Sequence, residues 1–260
     1  MIAPVLVPDW PMPAGVRAIC TTRQGGVSAA PWDSLNLGDH VGDNAQNVAA
    51  NRARFAQAIE ARPVFLQQVH GSEVTELEAG ALDGIRADAC LTKAPHLACT
   101  IMVADCLPVL LCDTLGSTVA AAHAGWRGLA GQQGAGVLEA VCERFWSRAQ
   151  IPRERVAAST LAWLGPCIGP ESFEVGGEVK AAFEAHDPRA AELFRPCAPG
   201  KWLADLPGLA RQRLQALGIR AIHGNDGSRG WCTCSNPSRF FSHRRDGRSG
   251  RFAAAIWRDA

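Results

Sequence analysis

LACTIMVADCLPVLLCDTLGSTVAAAHAGWRG, residues 97–128, is the stretch whose reading decides the fold. It holds three apolar runs, LACTIMVA (97–104), PVLLCDT (108–114) and TVAAAHA (118–124), with only turn residues between them. Runs of this length, bounded by turn signals and rich in branched residues, read as strands rather than helices. They are apolar almost throughout instead of alternating, which is the pattern of strands covered on both faces. The last one ends in His123, Gly125, Trp126, Arg127 and Gly128, residues that have no business in a buried strand.

Outward from that centre the same reasoning predicts further strands over VRAICTT (16–22), PVFLQQV (63–69), ADACLT (87–92) and VAASTLAWLG (156–165). Helical spacing and strong helix formers predict helices over 45–61, 131–146, 178–186 and 204–217. The last of these follows an Asp suited to cap it. Strands and helices do not alternate strictly, so a regular doubly wound sheet is not expected. The expectation is an α/β or α+β fold in which mixed β-sheets are flanked by helices. No repeat, low-complexity block or long linker divides the chain, so residues 1–260 read as a single domain.

Bulk properties narrow the function. A formal charge of +1 gives no global field toward nucleic acid or membrane. Hydrophobic residues make up 47%, an ordinary globular share, and no apolar stretch reaches membrane-spanning length. The first residues, MIAPVLVPDWPMPAGVR, lack the charged and apolar regions of a signal peptide. A cytoplasmic location follows as the expectation, and the ten cysteines then read as buried thiols, metal ligands or nucleophiles rather than disulfides. Cys20, Cys90, Cys99 and Cys112 sit inside apolar runs, where a small buried hydrophobe is the plain role. There is no tyrosine, so no step can use a phenol.

Three residues stand where apolar runs end and a turn begins: His70 in FLQQVHG, Cys106 in VADCLP and His123 in AAHAGWRG. Strand ends of this kind aim side chains at a common rim. Two His and one Cys form a plausible Zn²⁺ set with one open position. They equally form a nucleophilic Cys–His pair, with Cys106 attacking and His123 as base, or three satisfied hydrogen-bonders at strand ends. Arg23, in a glycine turn after a strand, and Arg127, ahead of the glycine-rich turn that opens 131–146, are candidates for an anion. Each also reads as a surface arginine. No Walker A pattern and no dinucleotide fingerprint occur. Cys232 and Cys234 in WCTCSNP lack a second pair at zinc-ribbon spacing and read as loop or strand cysteines. Cys167 in LGPCIGP lies in a turn that brings backbone close to another segment or a ligand. The arginine-rich stretch 238–252 has the composition of a single-strand binder. Asp246 and its glycines break it, so it reads as a turn and its flanks, and no nucleic-acid partner is expected.

TTRQGGVS, SLNLGDHVGD, FLQQVHG, ADCLPVLLCD, AAHAGWRGLAG, LGPCIGPESFEVG and FFSHRRDGRSGRFAAAIW occur in this order along nearly the whole chain. Together they resemble the bacterial purine nucleoside phosphorylases formerly called multicopper polyphenol oxidases or laccase-domain proteins. The resemblance implies a zinc ion on His70, Cys106 and His123. It implies phosphorolysis of adenosine, inosine and S-methyl-5′-thioadenosine, with deamination of adenosine, by a monomer or dimer whose partners are purine nucleosides and phosphate. Under it, Arg23 and Arg127 are assigned to phosphate, and Asn36 and His40, in SLNLGDH, to the nucleoside pocket or to turn stabilisation. Asp105, beside Cys106, is a candidate for proton transfer, although strand neighbours point to opposite faces. The older name implies copper, and Cu²⁺ outcompetes Zn²⁺ for such ligands. A copper-dependent polyphenol oxidase also needs a separate histidine-rich cluster, and seven histidines are few for both.

Overall fold

The computed structural model describes residues 5–147 and 152–259. Two large mixed sheets lie face to face. The first has five strands: β1 (Val5–Leu6), β2 (Val16–Thr21), β3 (Arg62–Phe65), β6 (Leu97–Val103) and β14 (Phe252–Arg258), in the order β1-β2-β14-β6-β3. Its pairings are antiparallel except β3 with β6. The second has six: β4 (Val74–Glu76), β5 (Ala89–Thr92), β7 (Leu107–Asp113), β8 (Val119–Ala124), β9 (Thr160–Leu164) and β13 (Ala221–Gly224), in the order β13-β9-β7-β8-β5-β4. Here β4/β5 and β9/β13 run parallel and the central pairs antiparallel. A small antiparallel sheet of β10 (Glu174–Gly176), β11 (Phe194–Ala198) and β12 (Lys201–Ala204) stands apart, with β12 in its middle.

The apolar runs of the central sequence are explained by what lies on each side. Cys99, Ile101 and Val103 of β6 face Leu110 and Cys112 of β7 and Val119 and Ala121 of β8 in a core between the sheets. The alternate residues of β6, Ala98 and Met102, pack instead on Phe55 and Ile59 of α1 (Ala45–Ile59). On the far side, Leu107, Val109 and Leu111 of β7 and Ala120, Ala122 and Ala124 of β8 meet α3 (Val137–Trp146), through Val137, Leu138 and Val141, and α6 (Leu206–Ala216), through Leu209, Ala210 and Leu214. The chain is therefore layered helix, sheet, sheet, helix. Short alanines on β8 let α3 approach the sheet closely, which is why an all-apolar strand can be so poor in large side chains.

Three sequence expectations shift, the first being the strand over 63–69, which ends at Phe65. Residues 156–158 end a short helix, α4 (Arg153–Ala158), so β9 starts only at Thr160. Residues 131–136 form a turn, and α3 opens at Val137 with its Gly136 N–H donating to Glu139 Oε2 at 2.8 Å. That helix end is thus capped by its own chain. The remaining helices are α2 (Trp126–Ala130), α5 (Gly177–Glu184) and α7 (His243–Asp246). Asp205 caps α6 as expected, its Oδ1 accepting from Gly208 N. Among the described residues no helix is long and apolar enough to cross a membrane.

Candidate metal centre

His123 is the fifth residue of β8 and shares the face of Val119 and Ala121, which points between the two sheets. Cys106 stands just before β7, and Pro108 of β7 is paired across from His123. His70 arrives on the loop after β3. These three offer ligand atoms within 4.8 Å of one another, the one such group among the described residues. The His70 and His123 rings meet edge to face with centroids 4.8 Å apart. The group lies at the open end of the seam between the sheets, where strands stop and the core gives way to a cavity.

The corner is held by a buried carboxylate that sequence reasoning passed over. Asp88 Oδ1 lies 2.8 Å from His123 Nδ1, and both side chains are buried. The same carboxylate accepts the backbone N–H groups of Val69, His70 and Gly71 at 3.2, 2.9 and 2.7 Å. One acid therefore fixes both histidine-bearing segments. By accepting from Nδ1 it leaves Nε2 of His123 for the site, the support that metal-bound histidines ordinarily receive. Its signal was present in the sequence: an acid inside ADACLT has to be paired if that run is buried.

Backbone conformation confirms how tightly the corner is drawn. His70 has φ 61° and Asp105 φ 94°, left-handed values that are uncommon for residues other than glycine. Such strain costs on the order of 1–3 kcal/mol per residue and persists only where surroundings impose it. Gly125 has to be glycine, because a Cβ there would lie 2.9 Å from Cys106 Sγ and 3.0 Å from His70 Cδ2. A Cβ on Gly128 would come within 2.6 Å of the Gly71 carbonyl oxygen. The glycines of HAGWRG are thus set by close approach of the ligand loops.

Electrostatics favour a charged pair. Burial pushes the Cys106 thiol up, but the His123 charge and hydrogen bonds from both histidines outweigh it and bring the thiol down to about 6. Burial pushes His123 down, and Cys106 and then Asp88 reverse that and raise it to about 9. The metal-free corner at neutral pH is a thiolate beside an imidazolium. Thiolate sulfur and imidazole nitrogen are what a zinc ion takes, and three such donors leave a position open. The donor set fits the metal.

A cavity of about 450 Å³ opens over these ligands. Trp126, at the start of α2, Ile168, Phe173 and Met102 supply apolar wall. His40, His243, Arg244 and Arg251 supply nitrogen donors, and Asp105 lies among them. Partial burial, then the charge of Arg251, holds His40 below its usual range, so it is neutral. Burial also lowers the Arg251 guanidinium, against the pull of Cys106 and Asp105. Arg251 binds the carbonyls of Ser249 and Gly250 through Nη1 and lines the cavity.

Of the eight residues singled out from sequence as candidates for the site, five line this cavity: His70, Cys106, His123, His40 and Asp105. Arg23 lies elsewhere, in a shallow depression with Asp33 and Pro237. Its guanidinium donates to the carbonyls of Asp33 and Pro237 and to Asp33 Oδ1, and it rests on the Phe241 ring. Arg127 is exposed and stacks on the Trp126 indole, outside the cavity lining. Asn36 is fully buried, donating to the Gly38 carbonyl and Asp43 and accepting from Gly38 N and Arg251 N. Its contribution to the cavity passes through the backbone of Arg251. Arg244 and Arg251 belong to the 238–252 stretch and come to the cavity because α7 and the start of β14 fold over it.

The sequence profile described as multi-copper polyphenol oxidoreductase laccase matches residues 17–259. A purine nucleoside phosphorylase of Pseudomonas aeruginosa is 53% identical over 97% of each chain. Purine nucleoside phosphorylase YfiH of Escherichia coli is 48% identical over 97% of this chain and 98% of its own. A solved Neisseria meningitidis protein superimposes with TM-score 0.88 at 43% identity, covering 98% of this chain and 99% of that one. Profile, full-length identity and fold agree, and the chain belongs to this family, the one that contains YfiH.

Proposed function

We propose that this protein cleaves purine nucleosides with phosphate at the His70–Cys106–His123 corner, taking adenosine, inosine and S-methyl-5′-thioadenosine, and that it also deaminates adenosine. The carrying observation is a cavity that joins a candidate three-ligand metal corner to apolar walls and two arginines. The names of the Pseudomonas aeruginosa and Escherichia coli relatives support the same reaction. A volume of about 450 Å³ is within the range of small-molecule sites.

In phosphorolysis a phosphate oxygen bonds to C1′ of the ribose while the C1′–N9 bond breaks. The electron pair leaves with the purine, which then takes a proton. His70, Cys106 and His123 would hold a zinc ion, which when bound would supply Lewis acidity, and copper would compete for the same ligands. The chain does the rest. Trp126 and Phe173 give the purine flat apolar surfaces. Arg251 and Arg244 receive phosphate, since guanidinium donors match its oxygens. The phosphate role read for Arg23 and Arg127 passes to this pair because Arg244 and Arg251 line the cavity and Arg23 and Arg127 do not, even though Nη1 of Arg244 and of Arg251 also donates to main-chain carbonyls. His40, neutral and at the rim, can accept from a ribose hydroxyl.

Ten free thiols support a reducing cytoplasmic setting for an enzyme that works as monomer or dimer. A polyphenol oxidase gains less support. The other described histidines, including His40 and His243 in the same cavity, make no second group of three ligands.

One observation favours a second reading. Cys106, His123 and Asp88 stand in a line of nucleophile, base and orienting acid, the arrangement of a thiol hydrolase. The deciding experiment assays purified, metal-quantified protein on adenosine, with and without phosphate, by chromatography. Phosphate-dependent adenine and ribose 1-phosphate at one zinc per chain is the expected result, with inosine formed whether or not phosphate is present. Zinc-loaded protein that yields neither adenine nor inosine overturns the proposal. Activity that survives chelation, and is lost when iodoacetamide alkylates Cys106, transfers the case to the thiol hydrolase.

A further inference from the structure

Asp105 is a tightly held residue of the cavity outside the candidate metal ligands. It stands between the end of β6 and Cys106, with φ 94°. Asp is among the few residues that tolerate such a conformation, and here the surroundings enforce it. Its carbonyl oxygen accepts from Ile168 N at 2.9 Å. Its Oδ1 accepts from the hydroxyl of Thr233 at 2.6 Å, and its Oδ2 accepts from the backbone N–H of Arg244 at 2.7 Å. Thus one residue ties three segments distant in sequence to the turn that carries the thiolate.

Two of these ties, to Ile168 and Arg244, reach the cavity wall. Ile168 lines it directly. Thr233 is fully buried, donates its own N–H to the Cys167 carbonyl, and accepts from Arg245 Nη1 at its carbonyl. Arg244 is the second residue of α7, whose first-turn N–H groups have no helical partner. Ser242 caps one of them by accepting from Arg245 N, and Asp105 caps the N–H of Arg244 from across the cavity. His243 and Arg244, which project into the substrate space, are borne on this turn.

We infer that Asp105 is a positioning residue that locks α7, with His243 and Arg244, to the Cys106 corner, so that the phosphate-side donors and the metal ligands keep a fixed separation. Each carboxylate oxygen already accepts a hydrogen bond that holds another segment, so protonating Asp105 during turnover would weaken a tie of the lock. This assignment replaces the proton-transfer role read from sequence, and its kinetic part rests on the phosphorolysis reading.

Substitution by Asn separates the two roles. Asn fits the left-handed backbone, can accept the Arg244 N–H through its Oδ1, and can donate to the Thr233 hydroxyl through its amide. It keeps the lock and abolishes the base. Gly also fits the backbone but provides no lock. Kinetics of the zinc-loaded, full-length Asp105→Asn, Asp105→Gly and Thr233→Val proteins are measured beside hydrogen exchange over 243–247. The expected result for Asp105→Asn is a fall in kcat below about tenfold, short of the 10²–10⁴ that a lost general acid or base removes. Asp105→Gly is expected to lose about a hundredfold in kcat/KM through displaced donors, with KM for phosphate rising. It should also speed exchange over 243–247 while residues 107–113 keep their protection. Thr233→Val should fall between them.

An Asp105→Asn protein as damaged in kcat as Asp105→Gly, with unchanged exchange over 243–247, overturns the inference in favour of proton transfer. Unchanged exchange in Asp105→Gly also overturns it. Wild-type protein that turns over no nucleoside strikes the functional reading alone, because the exchange comparison still decides whether the lock exists.

Discussion

Two polar corners of this protein look alike in sequence and differ in what their atoms face. His70, Cys106 and His123 follow apolar runs and precede glycine or proline, and so, in a glycine turn after β2, does Arg23, with Asn36 nearby. At the first corner, one buried carboxylate gathers the backbone of residues 69–71 and the imidazole of His123, leaving sulfur and nitrogen open to a cavity. At the second, guanidinium and amide are occupied by carbonyls and backbone N–H groups of their own chain. Polar residues at glycine turns become a site only when something else satisfies the backbone around them. Asp88 does this at the metal corner, whereas Arg23 and Asn36 are themselves the satisfying groups.

The sharpest way to break that contrast is Asp88→Asn. The amide would present hydrogens toward donors that now share a carboxylate, and His123 would lose its fixed tautomer. Zinc affinity is expected to fall about 10–100-fold, the range for lost supporting groups around a metal. Competition with a chromophoric chelator measures it. Unchanged affinity would mean that the ligand loops hold themselves without Asp88, and the contrast between the corners would collapse.

Much of the layered core was legible in the sequence, because continuous apolar runs such as 97–104 and 118–124 demand cover on both faces and the structure supplies it. The helix over 45–61 and the Asp205 cap were legible for local reasons. The three-stranded sheet was not, because FRPCA and KWLA are short, largely exposed and carry no clear period. The candidate metal ligands followed visible apolar runs, and the family resemblance grouped them. Arg244 and Arg251 were hidden in an arginine-rich turn, since only long-range folding decides which arginines come to line a cavity. Asp88 was a buried acid whose four donors come from two remote segments, and no local pattern reports that.

Arg23→Ala tests the other side of the comparison and should have a smaller effect on function. Two carbonyls, of Asp33 and Pro237, lose their donor and the Phe241 ring loses its cover. Both carbonyls belong to exposed residues and can turn to water, so the cost is the net worth of such bonds, about 0.5–1.5 kcal/mol, visible as a fall in thermal midpoint of a few degrees. KM for phosphate is expected to stay unchanged. A rise in that KM without loss of stability would return Arg23 to the phosphate site and show that the corner serves ligand as well as chain.

The smallest expected effect concerns pH, and its near absence is the informative part. In the metal-free protein, Cys106 titrates at about 6 instead of about 8.5, so between those values the unfolded chain holds more protons and stability climbs with pH. His123 titrates at about 9 instead of about 6.5, so its stabilisation is complete below 6.5 and is lost as pH rises through 9. Across about 6.5–8.5 the two slopes oppose and cancel. The thermal midpoint of the metal-free protein should therefore stay nearly flat in that window, while ultraviolet thiolate absorbance develops around pH 6 and is absent from Cys106→Ala. A midpoint that climbs through the window would mean that the thiol alone is shifted, and one that falls would mean that the imidazole alone is. In either case the pair would not be the thiolate and imidazolium that distinguish this corner from the self-satisfied one around Arg23.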